Sequence, residues 1–577
     1  MSVTSRIANY HGVPTLFVND QPQVGMAYIT YFEENNRYQD FADAGYTLFT
    51  FATFFGGQTI NETSQIKPFS PGIFDVKGEA DFSVFDRSVA QILAACPQAM
   101  IFPRVNMSLP QWWEDEHPDE LNDVGFKENR RRACFSSKLW LKQSEDFLLQ
   151  LIDHVESQPW KDHIVGYQIA SGNTEEWFSF DQRGSIGKAS RDEFAARGGH
   201  SDNAVAYHQF LNQIVAEDIV YLAGVVKKRT NRQLAVGSFY GYTFETPYWL
   251  SCHMAMKTIL ASDDVDFLCS PSSYMNTRSP GQDWPCMTVL DSLLLHGKAY
   301  FTELDTRTYL SKFPGQCRAN SVVPGTYEQP IWLGPKSPDV SRWLLRTNIA
   351  RQLTHGTNSW WFDMWGGWYA TPAMMQEMKD LRTIAITAMQ DDHRESIAQV
   401  VVFIDETNYS HFDGSSPLSS QIAYHGRRPL GLAGAPYATY DISDFSAVRS
   451  RYRAFVMLAP FMTEAMAEAI STLKTENKPY LLVDENNPSL DTAALRTLYK
   501  TANVFIYCDS DDVVYANDHY LAIHAATAGE KRLRLPQTRR VTPLLPIGDP
   551  SETDSLSIEL QQFETRLFRL DYPPISH

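Results

Sequence analysis

The chain has 577 residues, 43% of them hydrophobic and 20% charged, with a formal net charge of -18. That length suits two or three domains of ordinary globular composition, which excludes a disordered chain. The acidic balance argues against nucleic acid or an anionic membrane as the main partner, and no uninterrupted apolar run approaches the ~20 residues of a membrane span.

Seven cysteines, an odd number with no CxxC spacing, read as buried free thiols in a reducing compartment. The opening MSVTSRIANYHGVPTLFVND has no apolar signal region, so a cytoplasmic location is expected. In chain order, Thr15 to Val18 and Gln23 to Tyr28 flank the turn Asn19-Asp20-Gln21-Pro22, and the second arm reads as a first buried strand. Helix-like and strand-like segments then alternate. Strands are expected at Tyr46 to Phe51, Met100 to Val105, Val165 to Ala170, Leu234 to Gly237, Val265 to Leu268, Lys298 to Phe301 and Asn358 to Phe362. Helices are expected at Glu34 to Ala44, Asp86 to Ala95, Leu139 to Glu156, Ala204 to Lys228, Tyr248 to Ala261, Met287 to Leu295, Ser341 to Gln352 and Met374 to Met389. Eight such alternations predict an α/β chain with a (β/α)8 TIM barrel and long loops over residues 1–390, including the N-terminal hairpin.

The pattern restarts after residue 390. Val400 to Ile404, Ala454 to Ala459, Tyr480 to Val483 and Val504 to Tyr507 are buried strand runs, with helical spacers at Thr463 to Lys474 and Asp491 to Tyr499. They predict a Rossmann- or flavodoxin-like α/β domain over residues 391–520. No G-x-G-x-x-G and no P-loop occurs in it, so a nucleotide is not expected there. Short alternating segments over residues 521–577 predict a small β domain.

Two strand ends carry carboxylates. In VGYQIASGNTEEWF the fourth barrel strand is followed by Glu175 and Glu176, next to Trp177 and Phe178; in KAYFTELDTRT the seventh delivers Glu303. The C-terminal ends of barrel strands form the active face of this architecture. Two carboxyls there are what glycoside hydrolysis needs, one to protonate the leaving oxygen and one to attack the anomeric carbon. Glu303 is the expected nucleophile. Glu176 is the expected general acid/base, with a pKa raised by an aromatic neighbour if Trp177 faces it, and Glu175 is the alternative. Arg104, at the end of the third strand, suits either sugar hydroxyls or an ionised nucleophile. Tyr274 is placed to hydrogen-bond Glu303, Asn173 is a further candidate, and Asp305 with Arg307 reads as a support network. The eighth strand runs into NSWWFDMWGGWY, in which Trp365 or Trp368 is the candidate platform for a sugar ring.

The segment from Arg104, RVNMSLPQWWEDEHPDELNDVGFKENRRRACFSSKLW, resembles the third-strand loop of family 42 β-galactosidases. Pro110, Trp112, Pro118, Glu120, Asp123, Gly125, Arg131, Cys134, Ser136 and Ser137 carry the resemblance, together with the domain order, over residues 10–520. The chain departs from that family at Gly172-Asn173-Thr174-Glu175-Glu176-Trp177, where the family has Asn-Glu straight after the strand, and at TELDTRT. It is therefore similar to retaining barrel glycosidases of the same clan, a related family such as the family 164 β-mannosidases included. The resemblance implies a retaining mechanism without metal or cofactor and a homotrimer assembled through the second domain. The expected activity is that of a retaining exo-β-glycosidase acting on β-galactosides or β-mannosides of short oligosaccharides. A non-catalytic carbohydrate-binding protein on a degenerate barrel is the alternative. The histidines are scattered without H-x-H or HExxH, and G-x-S-x-G is absent, which argues against metal-dependent and serine hydrolases.

Overall fold

The computed structural model describes residues 2–57, 66–123, 131–179, 187–323, 325–413 and 415–572. Gly125, one of the residues of the third-strand loop named above, lies outside them. A three-stranded antiparallel sheet opens the chain: Ser5–Tyr10 (β1), Val13–Val18 (β2) and Gln21–Pro22 (β3). Asn19 and Asp20, at φ 48° and 62°, make the left-handed two-residue turn that matches strand twist. The hairpin expected here is thus closed by Gln21–Pro22 alone. Its expected second arm breaks away, and Met26–Ile29 becomes the first barrel strand.

The barrel closes through eight parallel strands: Met26–Ile29 (β4), Leu48–Phe54 (β5), Met100–Asn106 (β6), Gly166–Ala170 (β7), Ala235–Phe239 (β8), Phe267–Pro271 (β9), Ala299–Leu304 (β10) and Asn358–Phe362 (β11). β11 pairs with β4, so no edge is left open. Strands packed on both faces read as continuous apolar runs, and every residue of β7, β8, β9, β10 and β11 is buried. The helices around them begin where caps are available. Ser137 accepts from Trp140 N–H ahead of Lys138–Ser157, and Ser337 from Val340 N–H ahead of Pro338–His355, which ends on Gly356 at φ 64°. A Cβ at Gly356 would stand 2.2 Å from Val13 Cγ1, so the helix end also seats the N-terminal sheet.

One predicted helix is largely not formed. Of Tyr248 to Ala261, only the short turns Trp249–Ser251 and Met256–Leu260 are helical. Cys252 sits at φ 64° and the His253 ring is taken up by hydrogen bonds across the loop, so the apolar spacing there serves loop packing.

Beyond the barrel, Val400–Ile404 (β12), Tyr437–Asp441 (β13), Ala454–Leu458 (β14) and Tyr480–Val483 (β15) form a parallel sheet in the order β13-β12-β14-β15. The expected strand Val504 to Tyr507 is absent: Phe505 N–H donates to the Gln399 side chain and Tyr507 N–H to the Gly434 carbonyl, not to a ladder. The fourth strand of the sheet is instead β13, paired with β12, whose YATYD gives no apolar run. An antiparallel sheet follows, Val513–Ala516 (β16), Tyr520–His524 (β17), Gly529–Leu545 (β18), Ser551–Leu560 (β19) and Thr565–Asp571 (β20), so residue 521 falls inside its second strand. Among the described residues no helix is long and apolar enough to cross a membrane.

Candidate active site

β6, β7 and β10 carry Arg104, Gln168 and Glu303 among mostly apolar residues. All three are buried. Such groups are stable in a core only when they satisfy one another. Arg104 Nη2 donates to Glu303 Oε2 at 2.6 Å, and its Nε donates to Gln168 Oε1 at 3.2 Å. Nη1 points to the Tyr31 hydroxyl at 3.4 Å and lies 3.7 Å from Glu175 Oε2. The rings of Phe239, Phe362 and Trp360 enclose the guanidinium, with centroids at 4.6, 5.5 and 5.7 Å.

After β7 the chain folds into a tight turn. Gly172, Thr174, Glu175 and Trp177 all have left-handed φ, between 59° and 74°. Three of these are not glycine, and each costs about 1–2 kcal/mol of backbone strain. Short hydrogen bonds hold the turn: Trp177 N–H to Ser171 O at 2.7 Å and Asn173 N–H to Phe178 O at 3.0 Å. At Gly172 a Cβ would stand 2.5 Å from the Phe178 carbonyl oxygen, so the turn needs glycine there. Asn173 is buried in this turn, its carbonyl accepting from Thr174.

The turn sends neighbouring carboxyls to different partners. Glu175 is fully buried, and its nearest charged partner is Arg104, with Nη1 3.7 Å from Glu175 Oε2. Glu176 keeps a partial opening and accepts from the Tyr242 hydroxyl at 2.6 Å and from Thr174. Its backbone carbonyl lies 2.7 Å from His253 Nε2. Gly241 N–H donates to His253 Nδ1 at 3.1 Å, which leaves the proton on Nε2. Burial pushes the imidazole down to about 3, so the ring is neutral.

The Trp177 indole lies on the other side of the turn, 5.7 Å from Phe135 and 6.4 Å from Trp140. The aromatic neighbour of Glu176 is Tyr242 instead, backed by Phe178 stacked at 5.3 Å.

Three carboxyls thus share one cleft. Removal from water disfavours a charged carboxylate. It pushes Glu176 up to about 7, with the charge of Glu303 the next cause, and Glu175 up to about 8 against the pull of Arg104. Burial raises Glu303 too, and the Arg104 guanidinium bonded to it opposes that rise. One carboxylate paired with arginine and one proton-holding carboxyl in its field make an acid and a base of the same residue type.

Tyr274 donates to Asp305 Oδ2 at 2.9 Å rather than to Glu303. Asp305 also takes Arg278 and Arg307, the latter at 2.8 Å, which makes it the centre of the expected support network. Trp365 and Trp368 are both buried. The first packs against Phe32 at 5.1 Å and Tyr327 at 5.6 Å, the second lies 5.4 Å from Arg307. The partly exposed ring at this wall is Trp332, 6.1 Å from Tyr274 and 4.6 Å from Arg307. Sequence reasoning passed over Tyr31, Gln168, Tyr242, His253 and Trp332. Gln168 was findable as the one amide in a buried apolar strand; Tyr242 and His253 sit in an irregular loop that carries no periodic signal.

No protein-family model matches the chain, and no curated protein matches it in sequence. Its fold is similar to solved structures. A β-galactosidase from Bacillus circulans sp. alkalophilus superposes with a TM-score of 0.63 over 95% of this chain and 99% of that one, at 12% identity. An exo-carrageenase of family 42 from Bacteroides ovatus gives 0.59 over 99% and 86%, at 11% identity. An α-L-fucosidase isoenzyme 2 from Paenibacillus thiaminolyticus gives 0.57 over 96% and 100%, at 10% identity. The chain therefore has the fold seen in family 42 β-galactosidases, a closed parallel barrel with additional sheets after it.

Proposed function

We propose that the protein is a glycoside hydrolase, a retaining exo-β-glycosidase that cleaves β-galactosides or β-mannosides of short oligosaccharides. The observation that carries this reading is the pair Glu303 and Glu176 at the ends of β10 and β7, one bonded to Arg104, the other hydrogen-bonded by Tyr242 and set in the first one's field. The fold shared with the β-galactosidase and the exo-carrageenase supports it.

In this reading Glu303, ionised beside Arg104, attacks the anomeric carbon. Glu176 gives its proton to the departing glycosidic oxygen, so the C1–O bond breaks as a Glu303–C1 ester bond forms. Glu176, now a carboxylate, takes a proton from water, whose oxygen displaces Glu303 from C1. Two inversions retain the β configuration. Such a pair of carboxyls works at a separation of about 5–5.5 Å. Asn173, Glu175, Tyr274, Trp365 and Trp368 are assigned to binding the sugar or to shaping its pocket. By resemblance in domain order, the protein is assigned as a homotrimer held through the second domain, residues 391–520, which light scattering tests.

The decisive experiment is a panel of aryl β-glycosides followed by proton NMR. Release of the β-anomer of the sugar as first product is expected. First release of the α-anomer, or no turnover of any member of the panel, would rule the proposal out.

A further inference from the structure

The acid half of the cleft is held by a loop with little regular structure. From Tyr240 to Ala255 it contains one short helical turn, Trp249–Ser251, and a hydrogen-bonded turn after Tyr242, yet it delivers Tyr242 to the Glu176 carboxyl and His253 to the Glu176 carbonyl. Among the described residues no strand ladder fixes it; it is held by one backbone bond, Phe244 N–H to the Met287 carbonyl at 2.9 Å, and by side chains that grip it from outside.

Asn212 holds Trp249 and Met254, and the rest of the grip comes from the parallel sheet β13-β12-β14-β15. β12 ends at Ile404, and the turn Glu406–His411 that follows lies against the loop. Glu406 Oε1 accepts from Met256 N–H at 2.6 Å, and Oε2 lies 3.5 Å from the Thr243 hydroxyl. The Tyr409 hydroxyl donates to the Thr243 carbonyl at 2.9 Å. The Ser410 carbonyl meets His208 Nδ1 at 2.8 Å, and the His208 ring stacks on Trp249 at 3.7 Å. Thr243 adjoins Tyr242, and Met256 is three residues past His253. The anchors therefore bracket the two residues that touch Glu176.

Glu406 is a costly residue for this place. It is 4% exposed, and the charged groups facing it from its own sheet are Asp405 and Asp441, both acidic. Asp405 is used locally, accepting from Thr407 and Thr463, and Asp441 likewise accepts from Ser443. Glu406 alone of the three turns to the barrel. Burial and the two aspartates push it well above the usual carboxylate range.

We propose that Glu406 is a positioning residue for the catalytic acid: by pinning Thr243 and Met256 it sets the Tyr242 hydroxyl on Glu176, and the parallel sheet that carries β12 is thereby a working part of the proton-donating half of the site. The inference rests on the assignment of Glu176 as the general acid.

The test uses leaving-group dependence, which general damage to the fold does not select. A 2,4-dinitrophenyl β-glycoside departs without a proton, whereas an alkyl β-glycoside of the same sugar needs the acid. Values of kcat/KM, which report the bond-breaking half, are compared in the full chain. Glu406→Ala should lose about 10–100-fold on the alkyl glycoside, the scale of a misplaced catalytic group, and stay within about twofold on the dinitrophenyl glycoside. Glu406→Gln, which keeps a neutral acceptor for Met256 N–H, should restore the wild-type ratio. Tyr409→Phe should show the same split at smaller size, and it carries the test if Glu406→Ala does not fold. Equal losses on both substrates, or no loss on either, overturn the inference. Glu176→Ala is the control: if it splits the two substrates while Glu406→Ala and Tyr409→Phe do not, the inference fails alone, and if it shows no split, the acid assignment fails and takes the inference with it.

Discussion

Arg104 reaches across the barrel from the end of β6 to Glu303 at the end of β10, and the two side chains meet at 2.6 Å inside a ring of aromatic walls. An isolated carboxylate at that depth would be expensive, so the pairing is what lets Glu303 carry charge. Arg104→Met should therefore raise the Glu303 pKa and cut kcat/KM by about 10³-fold, the range for removing an electrostatic partner of the reacting group. Lysine should not substitute, because Arg104 serves Glu303, Gln168 and Tyr31 from three separate nitrogens. Steady-state kinetics of Arg104→Met and Arg104→Lys check this, and a lysine variant within about threefold of wild type would contradict it.

The two acids are separable by azide. Glu303→Ala should lose turnover of every substrate, and with azide and an aryl β-glycoside it should yield the α-glycosyl azide by a single displacement that expels the phenolate. Glu176→Ala should still form the covalent intermediate from good leaving groups, then stall, and azide should release it as the β-glycosyl azide. Product configuration by NMR is the readout. If Glu175→Ala shows the β-azide rescue and Glu176→Ala does not, the roles within the pair are exchanged.

How much of this was legible beforehand differs by element. β11 was readable to the residue, because Asn358–Phe362 is bounded by Gly356 and by the turn that ends in Gly366 and Gly367. Glu303, Arg104 and the Glu175–Glu176 pair were readable because each is a charged group at the end of an apolar run, a cost that a strand bears for a reason. Tyr242 and His253 were not. Their loop has apolar residues at helical spacing, and what decides its shape is contact with Glu176 on one side and Glu406 on the other, neither of which is near in sequence. The direction of Trp177 was hidden for a similar reason: left-handed φ values through the turn break the alternation by which side chains are assigned to faces.

Stability should fall as pH rises through neutrality. In the unfolded chain Glu175 and Glu176 titrate near the ordinary value of about 4.3; in the fold they titrate at about 8 and about 7. Between those values the folded state binds more protons, so each added unit of pH favours the unfolded chain. Glu175→Gln removes one such group without changing shape. Its Tm should exceed that of the wild type at pH 8 by a few degrees and match it near pH 5, as read by calorimetry. A wild-type Tm that is flat across this range would show that neither carboxyl is raised.

The Glu176 pKa should respond in opposite directions to two substitutions that leave the Glu176 carboxyl itself in place. Activity needs Glu176 protonated, so kcat/KM should decline on the alkaline side with an apparent pKa of about 7. The charge of Glu303 is one cause of that high value, since a second negative group nearby disfavours ionisation. Glu303→Gln removes the charge, and the Glu176 pKa should drop; because this variant does not turn over, the shift is followed by carbon NMR of labelled glutamate. The Tyr242 hydroxyl acts the other way. It donates to Glu176 Oε1 and so favours the carboxylate. Tyr242→Phe should therefore move the alkaline limb of kcat/KM to higher pH, while lowering the rate on poor leaving groups because the carboxyl is less well held. An alkaline limb that moves to lower pH in Tyr242→Phe, or stays where it is, would mean that the group titrating there is not Glu176.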